Sequence, residues 1–152
     1  MKPVRLFGAS LLALGLMAGT AASTFAGPGD ITYRQKVMGA VGGHMGAMST
    51  IIKGQGGDMK HFAMHADAMA ALARMAQSVF PKDSTQMEGK TKALDAIWEK
   101  TADFAKVRDN FVVYADKLAA AAKGGDKAAI GAALGELGKN SCKACHTDYK
   151  GK

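Results

Sequence analysis

The sequence predicts an all-α chain folded as an antiparallel up-down-up-down four-helix bundle. Four stretches repeat apolar residues at steps of three and four, Gly, Pro and Asp residues punctuate them, and two of the three connections are short. Composition agrees. With 48% hydrophobic residues, 22% charged residues and 3 prolines in 152, and a mean hydropathy of −0.03, the chain suits one domain of ordinary size. Neither a multispan membrane protein nor a disordered chain has this balance.

Helix one is expected to begin at a cap on Asp30 and run through Lys53 to stop at Gly54, with Met38, Val41, Met45, Met48 and Ile52 as its apolar seam. Asp58 opens helix two, whose seam is Phe62, His65, Met69, Leu72, Ala76 and Val79, and Pro81 ends it. Residues Lys82 to Lys100 are irregular, carrying Gly89 and the group Ile97-Trp98. That long link is the one able to wrap around something. Helix three reads Phe104, Val107, Phe111, Tyr114, Leu118 and Ala121 and closes at Gly124-Gly125. Asp126 caps helix four, in which Ile130, Leu134 and Leu137 lead into the two cysteines. Glycines inside helices one and four (Gly39, Gly42, Gly43, Gly46, Gly131, Gly135, Gly138) cost helix propensity by up to about 1 kcal/mol each. The gain in return is close approach of backbone to backbone or to a flat ligand.

Ahead of these elements, Lys2 and Arg5 precede an apolar run from Leu6 to Ala18, and small residues follow as far as Ala26. This is the layout of a cleaved signal peptide over residues 1–26, leaving one domain over 27–152 that works in the periplasm. The run is shorter than the ~20 residues that span a bilayer, so no membrane association is expected of the mature form. Removing Lys2 and Arg5 takes the formal charge from +7 to +5. The lysines are scattered, with no run of five and no aromatic-rich basic stripe, which argues against nucleic acid. A modest positive field can steer acidic partner proteins instead.

Most of the chemistry sits in Cys142-Lys143-Ala144-Cys145-His146, a C-x-x-C-H run. Two thiols three residues apart share one helical face and can form thioethers with two haem vinyl groups. The imidazole four residues after the first thiol can reach the iron from that side, as in c-type haem attachment. Other readings of the cysteines are weaker. A disulfide would close almost no loop, and a redox C-x-x-C belongs in an α/β context that is missing. A zinc site would need His61 and His65 as a second pair and would leave His146 unused. One covalent haem c is the expected cofactor.

These residues, in this order, resemble the class II c-type cytochromes, which include the cytochromes c′. The likeness covers the whole mature chain. It rests on the C-terminal position of Cys142 to His146 with Tyr149-Lys150 behind them, and on Tyr33-Arg34-Gln35 and Ile51-Ile52-Lys53-Gly54 in helix one. Phe80-Pro81 and Ile97-Trp98-Glu99 complete it. The resemblance implies a four-helix bundle with His146 as proximal iron ligand and a distal residue four positions after Arg34, which here is Met38. Methionine at that position is similar to the low-spin c-556 subgroup. The implied function is then one-electron transfer with redox partner proteins through a six-coordinate His146/Met38 iron. Leucine or an aromatic is typical of the gas-binding branch, although some five-coordinate members also carry methionine. The alternative is therefore a five-coordinate cytochrome c′ that binds nitric oxide or carbon monoxide, with Met38 as soft packing. The resemblance also implies a propionate-pairing role for Arg34, against a plain solvated rim position. Family members often place arginine where this chain has Lys150, which keeps the charge without the planar fork. Helix one with helix two is the family's usual dimer face, and monomer and homodimer both remain open. No acid/base pair, phosphate loop or nucleophile triad is present, so no enzyme activity is expected.

Overall fold

The computed structural model describes residues 27–152 apart from position 83. The expected signal segment, residues 1–26, lies outside the described residues. The elements are α1 (Pro28–Ile52), α2 (Met59–Met75), a single turn α3 (Ala96–Glu99), α4 (Thr101–Gly124) and α5 (Lys127–Leu137). A π-helical segment (Gly138–Lys143) and α6 (Ala144–Tyr149) continue directly from α5. Helices α1, α2, α4 and the α5–α6 rod form the expected four-helix bundle.

Capping explains most boundaries. Asp58 accepts from the Lys60 amide at 2.9 Å, and Asp126 accepts from the Ala128 and Ala129 amides, so α2 and α5 start where the sequence places them. Helix α4 ends at Gly125, whose φ of 76° is left-handed. Helix α1 starts earlier than expected. Pro28 is pre-organised for its first turn, so Asp30 sits inside the helix and its carboxylate accepts from the Gly27 amide at 2.8 Å. Helix α2 ends well before Pro81, because Ala76 to Ser78 turn back on the last carbonyls and the Ser78 hydroxyl donates to the Met75 carbonyl.

The sharp α1–α2 turn depends on Gly57. Its φ is 77°, and a Cβ there would stand 2.8 Å from Ile51 Cγ1. Gly57→Ala is expected to destabilise the fold by about 1–3 kcal/mol, combining left-handed backbone cost with displacement of a buried isoleucine. Urea denaturation measures it.

The central core joins Met48, Ile51, Phe62, Met69, Leu118, Ile130, Leu134 and Leu137 with small alanines from α2 and α4. A second cluster closes one end, built on Ala93, Ile97, Phe104 and Tyr149 with Phe80, Trp98, Val107 and Cys145 packed against it. The α1 seam is offset from the expected one. Ile31, Arg34 and Val37 are buried while Met38, Val41 and Met45 are half-buried. The cause is one-sided packing: α1 lies mainly on α2, meets α5 sparingly and does not pack against α6.

Candidate functional site

The C-x-x-C-H run straddles a change of helix type. Cys142 falls in the π-helical segment, while Cys145 and His146 lie in α6. Spacing arguments that assume 3.6 residues per turn therefore hold for Cys145 and His146 but are loosened at Cys142, and π-turns of this kind gather at functional sites. Both cysteines are free and partly buried. Burial pushes both thiols up, Cys145 to about 11 with added contributions from Cys142 and Asp148. They are thus neutral thiols at neutral pH. His146 is exposed, and its imidazole is pulled below the ordinary value by desolvation first and by Lys150 second. That favours the neutral ring, the form that coordinates a metal.

A loop and an aromatic ladder connect this helix to α1. After Tyr149 the chain pairs with the long link: the Leu94 amide donates to the Tyr149 carbonyl at 3.1 Å and the Gly151 amide to the Lys92 carbonyl at 2.8 Å. Tyr149 packs on Phe104 with centroids 4.9 Å apart, and Phe104 meets Phe80 edge-on at the same separation. The Trp98 indole donates to the Pro81 carbonyl at 3.0 Å. The long link wraps the bundle end, and Cys145 rests on that aromatic wall.

Arg34 stands at the far side of the wall and is 3% exposed, so it is no solvated rim residue. Its guanidinium donates to Ser84 Oγ at 2.6 Å, to the Ser84 carbonyl at 3.0 Å and to Thr91 Oγ1 at 3.1 Å. It also lies 5.3 Å from the Phe80 centroid and 5.8 Å from that of Trp98. Desolvation lowers its pKa while Asp30 opposes the shift. Arg34→Ala is expected to cost about 2–4 kcal/mol, from hydrogen bonds to a charged group lost inside the protein. Thermal denaturation together with hydrogen exchange over residues 84–91 reads both the stability and the release of the link.

Met38, one turn after Arg34, is half-buried and belongs to neither packed cluster. It stands on a helix that does not pack against α6. The structure thus keeps Cys142, Cys145 and His146 together and ties Arg34 to their end of the bundle through the link, but brings Met38 into no direct contact with them. Among the described residues no group of three or more His, Cys, Asp or Glu is placed to hold a metal, so His61 and His65 do not join the cysteines in the zinc site weighed as a weaker reading.

The donor set fits a covalent haem. It offers two neutral thiols, a neutral imidazole beside the second, an aromatic wall under Cys145, and a bundle in which α1 leaves α6 uncovered. A profile of the cytochrome c′ family matches residues 30–150. The chain belongs to the cytochrome c′ family. It is 36% identical over 120 residues to cytochrome c′ of Pararhodospirillum photometricum, covering 79% of this chain and 94% of that one. Cytochrome c-556 of Agrobacterium tumefaciens is 33% identical over 123 residues, 80% of this chain and 97% of that one. Among solved structures, cytochrome c prime of Alcaligenes xylosoxidans superposes with a TM-score of 0.74. A ferrous variant with bound NO covers 84% of this chain and 98% of its own at 31% identity. A carbon-monoxide-bound variant covers 84% and 99% at 30% identity, with the same TM-score. As a cytochrome c′ family member the protein carries covalent haem c, and among its described residues no helix is long and apolar enough to cross a membrane.

Apolar periodicity leaves one pairing unread: His44 of α1 and His65 of α2 meet with their Nδ1 atoms 2.9 Å apart. The signal was present: in a helical hairpin, residues at similar distances from the turn face each other.

Proposed function

We propose that the chain is a periplasmic five-coordinate cytochrome c′ that binds nitric oxide or carbon monoxide, rather than a low-spin electron carrier with His146/Met38 ligation. The observation that carries this reading is the setting of Met38, which is half-buried and belongs to neither packed cluster, on a helix without close backbone approach to α6. A thioether is a weak ligand, and a half-buried methionine outside both clusters is not fixed in place by core packing. The NO-bound and CO-bound states of the Alcaligenes relative support the same reading.

When bound, haem c supplies an iron that changes oxidation state and accepts a small axial ligand. Cys142 and Cys145 hold the macrocycle through thioethers. His146 would supply the imidazole that holds the iron, its ring biased toward the neutral form by desolvation first and by Lys150 second. Phe80, Phe104, Trp98 and Tyr149 exclude water from one edge. Arg34 fastens the link to α1 and places a cation at the wall, where it would offer its charge to an anionic haem substituent. Met38 would serve as a soft, displaceable cover over the face opposite His146. Electrons arrive from redox partner proteins steered by the positive field, and the chain works as a ligand-binding protein rather than by turnover.

The low-spin reading keeps one observation in its favour, the likeness to a protein named cytochrome c-556. Optical and electron paramagnetic spectra of the purified ferric protein separate the two. High-spin ferric features and a Soret shift on adding carbon monoxide to the ferrous form are expected. A low-spin ferric spectrum with a far-red thioether-to-iron band, and no carbon monoxide uptake, overturns the proposal.

A further inference from the structure

The His44–His65 pair lies outside the haem site and joins two helices through one histidine–histidine contact. His44 comes from α1 and His65 from α2, both half-buried. Their rings meet edge-on with centroids 5.1 Å apart and planes 65° apart, and the two Nδ1 atoms are 2.9 Å from each other. Ala40 and Gly43 complete a groove of ≈ 290 Å³ around them. A Cβ built on Gly43 would meet nothing within 4 Å, so that side of the groove is open.

We propose that His44 and His65 form a divalent metal site with a preference for copper(II), independent of how the haem iron is ligated. Metal–imidazole bonds are about 2.0–2.1 Å long, so two nitrogens held 90° apart on one ion stand about 2.9 Å from each other, whereas a tetrahedral ion spreads them to about 3.3 Å. The 2.9 Å that one hydrogen bond sets between the metal-free rings also matches adjacent corners of a tetragonal ion, and copper(II) heads the affinity order of divalent ions at nitrogen donors. Without metal, one Nδ1–H donates to the other Nδ1. On binding, that ring shifts its proton to Nε2, both Nδ1 lone pairs face the ion, and no net proton is released. Water fills the other corners, since among the described residues no third His, Cys, Asp or Glu completes the group. The two rings are presented by helices joined through a tight turn and packed on each other, so the bite is pre-formed and little ordering opposes binding.

Copper(II) chloride alone, titrated into the ferric holoprotein, tests this by calorimetry and by the copper hyperfine pattern in electron paramagnetic resonance. One ion per chain with two nitrogen donors is expected, zinc(II) binding about tenfold or more weakly. His44→Gln and His65→Gln are each expected to lose about tenfold or more in copper affinity, with the haem spectrum unchanged as the check on folding. His61→Gln, one turn before His65 on the exposed side, is expected to leave affinity within about twofold. Oxygen-only ligation, no stoichiometric binding by the unmodified protein, or equal losses in all three variants overturns the site.

Discussion

Replacing both thiols, Cys142→Ala with Cys145→Ala, is expected to abolish covalent haem: the secreted protein matches its bare polypeptide in mass, and acid–acetone extraction removes whatever colour it retains. The argument is one of tethering. His146 is exposed and stands alone as an axial donor of full strength, so without thioethers a single imidazole and one aromatic wall must hold a hydrophobic macrocycle against dilution. The single variants are expected to be intermediate and unequal. Cys145 is packed against the Ala93, Ile97, Phe104 and Tyr149 cluster, whereas Cys142 lies in the wider π-helical segment. Each leaves one thioether and a shifted pyridine haemochrome band, and Cys145→Ala additionally loosens the bundle end. Full covalent loading of the double variant would remove both residues from the attachment site.

How much of this could be read before the fold was known depends on how local each cause is. Asp58 and Asp126 cap helices through amides two and three residues away, and Gly125 closes α4 through its own left-handed backbone, so each boundary is written in a few consecutive residues. The C-x-x-C-H run is equally local. The burial of Arg34 is not: its partners Ser84 and Thr91 come from the long link, fifty or more positions away. The His44–His65 contact needs the register of two helices across a turn, which apolar periodicity does not specify. The π-helical segment at Gly138–Lys143 packs against α4, a partner that its own residues do not announce. The offset α1 seam has the same origin, because periodicity reports a face and one-sided packing on α2 decides which edge of it is covered.

Met38→Ala is expected to leave the ferric spectrum high-spin while raising carbon monoxide affinity about 5- to 150-fold. Met38 is half-buried and unattached to either core cluster, so its role in the proposed reading is to cover the distal side sterically. A ligand entering against a packed side chain must push it aside, which costs about 1–3 kcal/mol; with each 1.4 kcal/mol worth about tenfold, removal of the side chain returns the predicted factor. The gain should lie mostly in association, since the ligand no longer waits for a thioether to move. Stability should fall by less than the 2–5 kcal/mol or so of a buried Met→Ala exchange, because much of the side chain already faces solvent. If Met38 instead ligates iron, the same substitution converts a low-spin ferric spectrum to high-spin and creates carbon monoxide binding where there was none. Flash photolysis and the ferric spectrum of one variant pair therefore decide whether this thioether is a cover or a ligand.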